Sequence, residues 1–520
     1  MRNTLEKKHA VKNGIGRMIF AVLSLMVELS FLFLLVLYFY EKVALVLYIV
    51  RFLAFIIVLG LYGAHKTANI KMPWIMLILV LPLVGVLLYL TIGLDGSTNK
   101  MRRRFEDVDK VLLPMLPANE SVIEKANAKD KRIANMAKLL KSQSGYPIYE
   151  NTKVTYYDDG LKGLEAQKEE MRKAENFIFM EYHAIEDAES WEGISEILSE
   201  RANAGVEVRL SYDDMGSIGF INTDFVKRMK ALGIDCRVFN PFSRGLNFFL
   251  NNRDHRKITV IDGKVGFIGG YNLANEYFHV TEPYGFWKDT GIKLEGDAVD
   301  SLAVTFLEMW DAVSDKDKKE NIEDFSRYLG HYTKEEGENG FVQPYADSPM
   351  DELPVGEDVY MNMASSAQDY VWFVTPYLII TDEMTSALTL SAKRGVDVRI
   401  ITPGIPDKKI VYSVTRSYYN ALARQGVRVF EYTPGFCHCK MSVCDDTMAT
   451  CGTINMDYRS LYHHFENGCV YADSQAVLET KHDFEKMFEA SNEVTEYYAT
   501  GRGAFLRLGQ MLLRLIAPLM

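Results

Sequence analysis

Histidine is scarce in this chain, 10 among 520 residues, yet two of the ten stand in one repeated pattern. The runs Asp254-His255-Arg256-Lys257-Ile258-Thr259-Val260-Ile261-Asp262 and Cys437-His438-Cys439-Lys440-Met441-Ser442-Val443-Cys444-Asp445 both read H-x-K-x4-D. An imidazole nitrogen can attack or donate a proton, and a lysine ammonium holds phosphate oxygens as a point charge, so the pair suits phosphoryl chemistry. One such run is a weak signal. A second copy at the same spacing makes coincidence a poor explanation.

The elements that must carry these residues can be read from what surrounds them. Both runs are rich in Ile, Val, Thr or Ser and end at Asp262-Gly263 and Asp445-Asp446, a strand running into a turn. Alternation along a strand would put each histidine and its lysine on one face and send Arg256 and Cys439 to the other. Each run is followed by glycines and an asparagine, Gly269-Gly270-Tyr271-Asn272 and Gly452-Thr453-Ile454-Asn455. There the backbone can approach a ligand closely and an amide can bond it.

The repeat extends beyond the motifs. Asn176 to Glu181 matches Asp369 to Val374, Ala204 to Leu210 matches Arg394 to Ile400, and Leu232 to Phe239 matches Gln425 to Phe430, with offsets of 190 to 193 residues against 183 between the histidines. Each half therefore reads strand, helix, strand, helix, motif strand. This predicts two α/β sandwich halves related by a pseudo-twofold, with mixed, largely parallel sheets. The expected boundaries are 1–104 for a membrane part, 105–145 for a helical connector, 146–333 for the first half, 334–358 for a Pro-rich acidic linker, 359–500 for the second half and 501–520 for an amphipathic tail. Phe505 to Ile516 in that tail is a basic helix candidate, for the protein core or for a membrane surface.

Three apolar stretches open the chain, Met18 to Tyr40, Val43 to Gly63 and Pro73 to Gly93, each long enough to cross hydrocarbon about 30 Å thick. No small-residue cleavage site follows the first, so a removable signal is not expected. Glu28 and Arg51 fall at similar depth and are expected to pair. Basic residues crowd both flanks, Arg2 to Arg17 and Lys100 to Arg104. Three full crossings cannot place both on one side, and a re-entrant stretch is one resolution.

Residues 1–104 carry 13 Lys and Arg against 4 Asp and Glu, whereas the other 416 carry 45 against 65, a net of −20. That suits an anionic lipid surface for the first part and counts against nucleic acid as partner for the second. Four of the six cysteines, Cys437, Cys439, Cys444 and Cys451, crowd the second motif, without the even spacing of a disulfide framework. They are expected as free thiols, which favours a reducing compartment and a catalytic part on the cytoplasmic face. Alternation also sends Cys437 and Cys439 away from His438, so no metal site is expected.

With these motifs, and with Gly205 to Arg209, Tyr212 to Ser217, Trp287 to Thr290, Thr375 to Tyr377 and Asn455 to Ser460, the sequence resembles the phospholipase D superfamily, and within it the bacterial cardiolipin synthases, over nearly its whole length. Asp254, Cys439, Asn275 and His464 depart from the residues usual in that family, and put acceptor specificity in question more than activity. The resemblance implies that one histidine attacks a phosphodiester to give a phosphohistidine, while the other protonates the leaving alcohol and then deprotonates the incoming one. Attack needs a free lone pair and protonation an imidazolium, hence two histidines. By family habit His255 is the nucleophile and His438 the acid/base; the symmetry of the sequence does not decide this.

Lys257 and Lys440 would neutralise the phosphoryl oxygens, aided by Asn272 and Asn455, with no metal or other cofactor. Gly270, Thr453 and Glu466 fall at substrate-binding positions. Asp262 and Asp445 belong to the motif, and would orient an imidazole or fix their own turn. Glu181 reads as an ion-pair partner as readily as a site residue. The implied reaction, in the cell membrane, joins two phosphatidylglycerols into cardiolipin and glycerol. A phospholipase D, a transferase with another acceptor, or a lipid-binding scaffold are the alternatives.

Overall fold

The computed structural model describes residues 44–64, 68–90, 98–241, 252–314, 320–332, 340–351 and 353–500, with a few single residues before and after. The first half contributes nine strands: β1 Thr152–Tyr157, β2 Phe177–Tyr182, β3 Glu207–Asp213, β4 Asp235–Phe239, β5 Arg253–Asp254, β6 Lys257–Ile261, β7 Val265–Gly269, β8 Phe286–Lys288 and β9 Gly291–Gly296. The second half contributes β10 Phe341–Asp347, β11 Tyr370–Val374, β12 Asp397–Pro403, β13 Arg428–Tyr432, β14 Gly435–Cys437, β15 Met441–Cys444, β16 Met448–Gly452, β17 His464–Ala472 and β18 Ser491–Glu493.

The two main sheets repeat one topology. The first runs β1-β9-β7-β6-β2-β3-β4, and the second runs β10-β17-β16-β15-β11-β12-β13 with β18 added at its edge. Only the pairs β2–β3 and β3–β4, and their counterparts β11–β12 and β12–β13, are parallel along these paths. The sheets are therefore mixed with antiparallel pairing in the majority, not largely parallel. After the parallel crossovers the chain returns through hairpins such as β6–β7 and β15–β16, whose short connections permit only antiparallel neighbours.

The motifs are not continuous strands either. The pairing breaks at His255-Arg256 and again from His438 to Lys440. The segment before each histidine leaves its own sheet to dock on the other half: β5 pairs with β17, and β14 pairs with β8. His255 N–H donates to Phe465 O at 2.9 Å and His438 N–H to Lys288 O at 2.7 Å.

Between the sheets lies a helix, Val299–Ala312, buried at every residue but Asp300. One continuous core joins both halves, and it also takes in residues expected in the connector, among them Val108, Leu112, Ile133 and Leu140. Phe105 stacks on Phe465 with ring centroids 4.7 Å apart, so this segment is part of the catalytic body. The expected linker 334–358 likewise holds β10, the edge strand of the second sheet. Pro344 is tolerated there because an edge strand can spare an N–H.

Among the described residues the apolar amino-terminal part forms three packed helices, α1 Ala44–Gly63, α2 Ala68–Val80 and α3 Pro82–Leu88. Pro82 opens α3, and the chain doubles back so tightly that a Cβ on Gly85 would lie 2.6 Å from Ile78 Cα. Val50, Ala54, Leu61, Ile78 and Val86 form the small core of this bundle, while Phe52, Tyr62, Leu79 and Val80 stay exposed. Among the described residues no helix is long and apolar enough to cross a membrane, so the three expected crossings are not found there. The stretch Met18 to Tyr40, its Glu28 and most of the 501–520 tail lie outside the described residues. Within the tail, Arg514 Nη2 donates to Ser417 O at 2.8 Å.

Candidate active site

The crossed docking of β5 on β17 and of β14 on β8 brings the two motifs to one buried cleft between the halves. His255, Lys257, His438 and Lys440 are each less than a tenth exposed. Each imidazole is held by a carboxylate from the opposite half. His255 Nδ1 donates to Glu466 Oε2 at 2.9 Å, and His438 Nδ1 donates to Asp289 Oδ2 at 2.7 Å. This fixes the tautomer that leaves Nε2 of His255 with a free lone pair.

Glycine makes one of these contacts possible. A Cβ on Gly270 would fall 2.2 Å from Asp289 Oδ1, so the carboxylate can reach its place only because residue 270 has no side chain. Thr453 supports the other carboxylate, its hydroxyl donating to Glu466 Oε2 at 2.5 Å. The Asn272 amide donates to Tyr277 OH at 2.8 Å and accepts from Ala184 N–H at 3.2 Å, so both ends are engaged. Asn455 Oδ1, by contrast, is buried without a hydrogen-bond partner among the described residues.

Burial lowers the affinity of all four cationic groups for their protons. His438 is brought down to about 4 by desolvation and by Lys440, against the pull of Asp289. Desolvation takes His255 well below its usual range despite Glu466. Lys257 falls to about 7 through burial, with Glu466 opposing and Lys440 adding to the shift. Lys440 falls to about 8 for the same first reason, opposed by Asp289. The lysines meanwhile bond inward: Lys257 Nζ donates to His255 O at 2.6 Å, and Lys440 Nζ lies 3.0 Å from His438 Nε2. Burial also works to raise Glu466, but His255 and His464 beside it hold its carboxyl well below the usual range.

The motif aspartates stand elsewhere. Asp262 accepts from the backbone N–H groups of Glu175, Asn176 and Phe177 at 2.7–2.8 Å, and Asp445 from those of Gln368, Asp369 and Tyr370 at 2.7–2.9 Å. Both adopt positive φ, 53° and 51°, at the turn that ends the motif strand. They lace that turn to the start of β2 or β11, so the placement of Asp262 and Asp445 among the catalytic groups gives way to the turn-fixing role. Glu181 is fully buried 3.9 Å from Arg256, which also meets Glu308 at 3.2 Å, a structural ion cluster on the face away from the cleft.

Asp289 had no assigned role in the sequence, although it sits in the Trp287-Lys288-Asp289-Thr290 run. The signal that finds it is the duplication: Asp289 lies 177 residues before Glu466, close to the 183 between the histidines.

Two α/β halves of one topology, sharing a cleft with one H-x-K pair from each, define a phospholipase D-type protein. A family model described as "Cardiolipin synthase, PLD-like domain" matches residues 360–488, and another described as "Phospholipase_D-nuclease N-terminal" matches 49–93. Among solved structures, a phosphatidylserine synthase of Haemophilus influenzae shares the fold, with a TM-score of 0.56 and 14% identity over 74% of this chain and 100% of that one.

An uncharacterized protein of Streptococcus mutans is 40% identical over 89% of this chain and 99% of its own length. A cardiolipin synthase of Halalkalibacterium halodurans is 32% identical over 89% and 91%, and cardiolipin synthase 1 of Staphylococcus aureus 31% over 90% and 95%. The chain belongs to the bacterial cardiolipin synthase family of the phospholipase D superfamily.

Proposed function

We propose that this protein is a cardiolipin synthase, a phosphatidyltransferase that moves a phosphatidyl group from one phosphatidylglycerol to the hydroxyl of another and releases glycerol. The observation that carries this reading is the pair of imidazoles held in one buried cleft by Glu466 and Asp289, in a chain related over about nine-tenths of its length to cardiolipin synthases. His255 Nε2 attacks phosphorus, the P–O bond to the glycerol head group breaks, and His438 gives the departing oxygen its proton. The incoming hydroxyl then returns its proton to His438 as it displaces His255, so the enzyme ends as it began. Lys257, Lys440 and Asn455 meet the phosphoryl oxygens, and a bound phosphodiester anion supplies the charge that raises His438 into its acid form.

The choice of alcohol over water follows from the walls of the cleft. Tyr277, Trp287 and Phe436 surround His438 with ring centroids 5.1, 5.4 and 5.9 Å away, an apolar approach that suits a lipid head group. The amino-terminal bundle, apolar outside as well as inside, holds this cleft at the membrane. Lys100 and Arg103, the exposed members of the basic run that follows it, face the anionic cytoplasmic leaflet.

Detergent-purified protein given phosphatidylglycerol alone is expected to form cardiolipin and glycerol in equal amounts. Phosphatidic acid without cardiolipin would make it a hydrolase. No lipid turnover, with His255→Ala indistinguishable from the parent in cells, would make it a scaffold.

A further inference from the structure

The cleft contains one imidazole that the proposed reaction does not use. His464 opens β17 and its side chain is nine-tenths buried, yet among the described residues neither ring nitrogen has a hydrogen-bond partner. Its Nδ1 lies 3.6 Å from Glu466 Oε1, an ion-pair distance to an oxygen that is itself buried without a hydrogen bond among the described residues. Its ring centroid is 5.5 Å from that of His255. One ligand atom from each of His255, His464 and Glu466 lies within 4.8 Å of the other two. Buried polar atoms in native proteins are nearly always satisfied, so an imidazole and a carboxylate oxygen left without hydrogen bonds beside the ring of His255 call for an occupant.

The donor set says which occupant. Two imidazole nitrogens and one carboxylate oxygen suit a borderline divalent ion of the zinc class with a fourth position left open, whereas magnesium and calcium favour oxygen alone. His183, whose ring centroid is 5.0 Å from that of His255, does not join: its Nδ1 donates to Asp254 O at 2.7 Å and its Nε2 edge faces Gly216. Lys257 is the one cation of the motif on this side. Its Nζ is turned to the carbonyl of His255, which leaves the three donors facing one another.

We propose that His255, His464 and Glu466 form an inhibitory site for a divalent transition-metal ion, with Zn²⁺ as the type. Coordination needs one lone pair of His255. A neutral imidazole has only one, because the other nitrogen carries the proton, so a metal at either nitrogen leaves none for attack on phosphorus. The same ion draws Glu466 away from its orienting bond. Cardiolipin formation would thus be throttled by free metal through the nucleophile itself. Binding does not depend on which reaction the cleft runs; only the inhibitory consequence rests on the proposed function.

The test uses full-length protein in detergent, stripped with a chelator and titrated with Zn²⁺ against a chromophoric competitor. One ion per chain is expected, with affinity at least tenfold weaker in His464→Asn, and no competition from Mg²⁺ or Ca²⁺. Co²⁺ loaded in its place should show ligand-field bands without thiolate charge transfer, which separates this site from Cys437, Cys439 and Cys444. The Zn²⁺ dependence of cardiolipin formation should follow the binding curve, and shift with it in the variant.

Equal affinity in parent and variant, a thiolate band, or no stoichiometric binding overturns the site. Binding without loss of turnover overturns its inhibitory role. Should His464→Asn lose the parent's thermal transition, His464→Gln takes its place. A protein that binds Zn²⁺ as expected but makes no cardiolipin would refute the proposed reaction and leave the metal site standing.

Discussion

Glu466 accepts the Nδ1 proton of His255 at 2.9 Å across 211 positions of sequence, and from the opposite half of the duplication. Asp289 does the same for His438 in the other direction, across 149 positions. Each half thus supplies the reactive ring of one pair and the orienting carboxylate of the other. The exchange of β5 and β14 between the halves is what brings these partners within reach. A single half has neither pair complete, which ties the chemistry to the intact pseudo-dimer.

This crossing makes Asp289→Asn and Glu466→Gln informative. Each keeps the shape but removes the charge that fixes a tautomer and stabilises an imidazolium. Steady-state assays with phosphatidylglycerol should find kcat lowered roughly 10²–10⁴-fold with a smaller change in KM. Asp289→Asn should weaken leaving-group departure, so a substrate whose head-group alcohol is more acidic should recover rate in that variant more than in Glu466→Gln. An unchanged kcat in both would remove the carboxylates from the mechanism.

The acidity of the two motif lysines in the free enzyme sets a pH dependence. Burial holds Lys257 down to about 7 and Lys440 to about 8, so both ammoniums are lost as pH rises through this window. Because they are wanted protonated, kcat/KM, already falling above about pH 4 as the free enzyme's His438 loses its proton, should fall more steeply from near neutrality. A bound phosphodiester anion favours the charged lysines, so the alkaline limb of kcat should lie at higher pH than that of kcat/KM. Lys257→Arg, always charged, should flatten the lower limb even where its bulk costs rate. A kcat/KM profile level across that window would contradict this account.

Gly270 tests the geometry of one contact. In Gly270→Ala the new methyl meets Asp289 Oδ1 at 2.2 Å unless the carboxylate retreats. The retreat would loosen the bond to His438, and kcat should drop by about 10²-fold, the effect of a misplaced catalytic group. The fold should survive, since residue 270 has no positive φ to defend. A Gly270→Ala enzyme with full kcat would show that the 2.7 Å contact is dispensable.

Much of this was legible in the residues themselves. H-x-K at two places, with matching strands 190 to 193 residues apart, is enough to read two equivalent halves and one shared cleft. What stayed hidden depends on contacts between distant positions. Nothing local marks His255 as the point where a strand changes partners, because Ile258 to Ile261 continue the same alternation that the break interrupts. Pro344 and the acids around it look like a linker until β17 supplies the neighbour that makes them an edge strand. The segment 105–145 reads as a charged connector because only one face of each helix, Val108 and Leu112 or Ile133 and Leu140, enters the core. Asp289 was visible in principle, but only to a comparison of the halves carried past the motifs.

The motif aspartates give the contrast that separates support from chemistry. Asp262 accepts three backbone N–H bonds at a residue with φ of 53°, and touches neither imidazole. A hydrogen bond to a charged acceptor contributes about 1.5–3 kcal/mol net, but Asn keeps part of the bonding and tolerates positive φ. Asp262→Asn should therefore cost about 1–3 kcal/mol, and Asp262→Ala about 1–2 kcal/mol more, since Ala neither bonds the amides nor favours the left-handed turn. Thermal unfolding in detergent would report both. Below the transition, kcat of Asp262→Asn should stay within a few-fold of the parent, while His255→Ala at unchanged stability should lose it by more than about 10³-fold. A large fall in kcat for Asp262→Asn without loss of stability would return this carboxylate to the catalytic step.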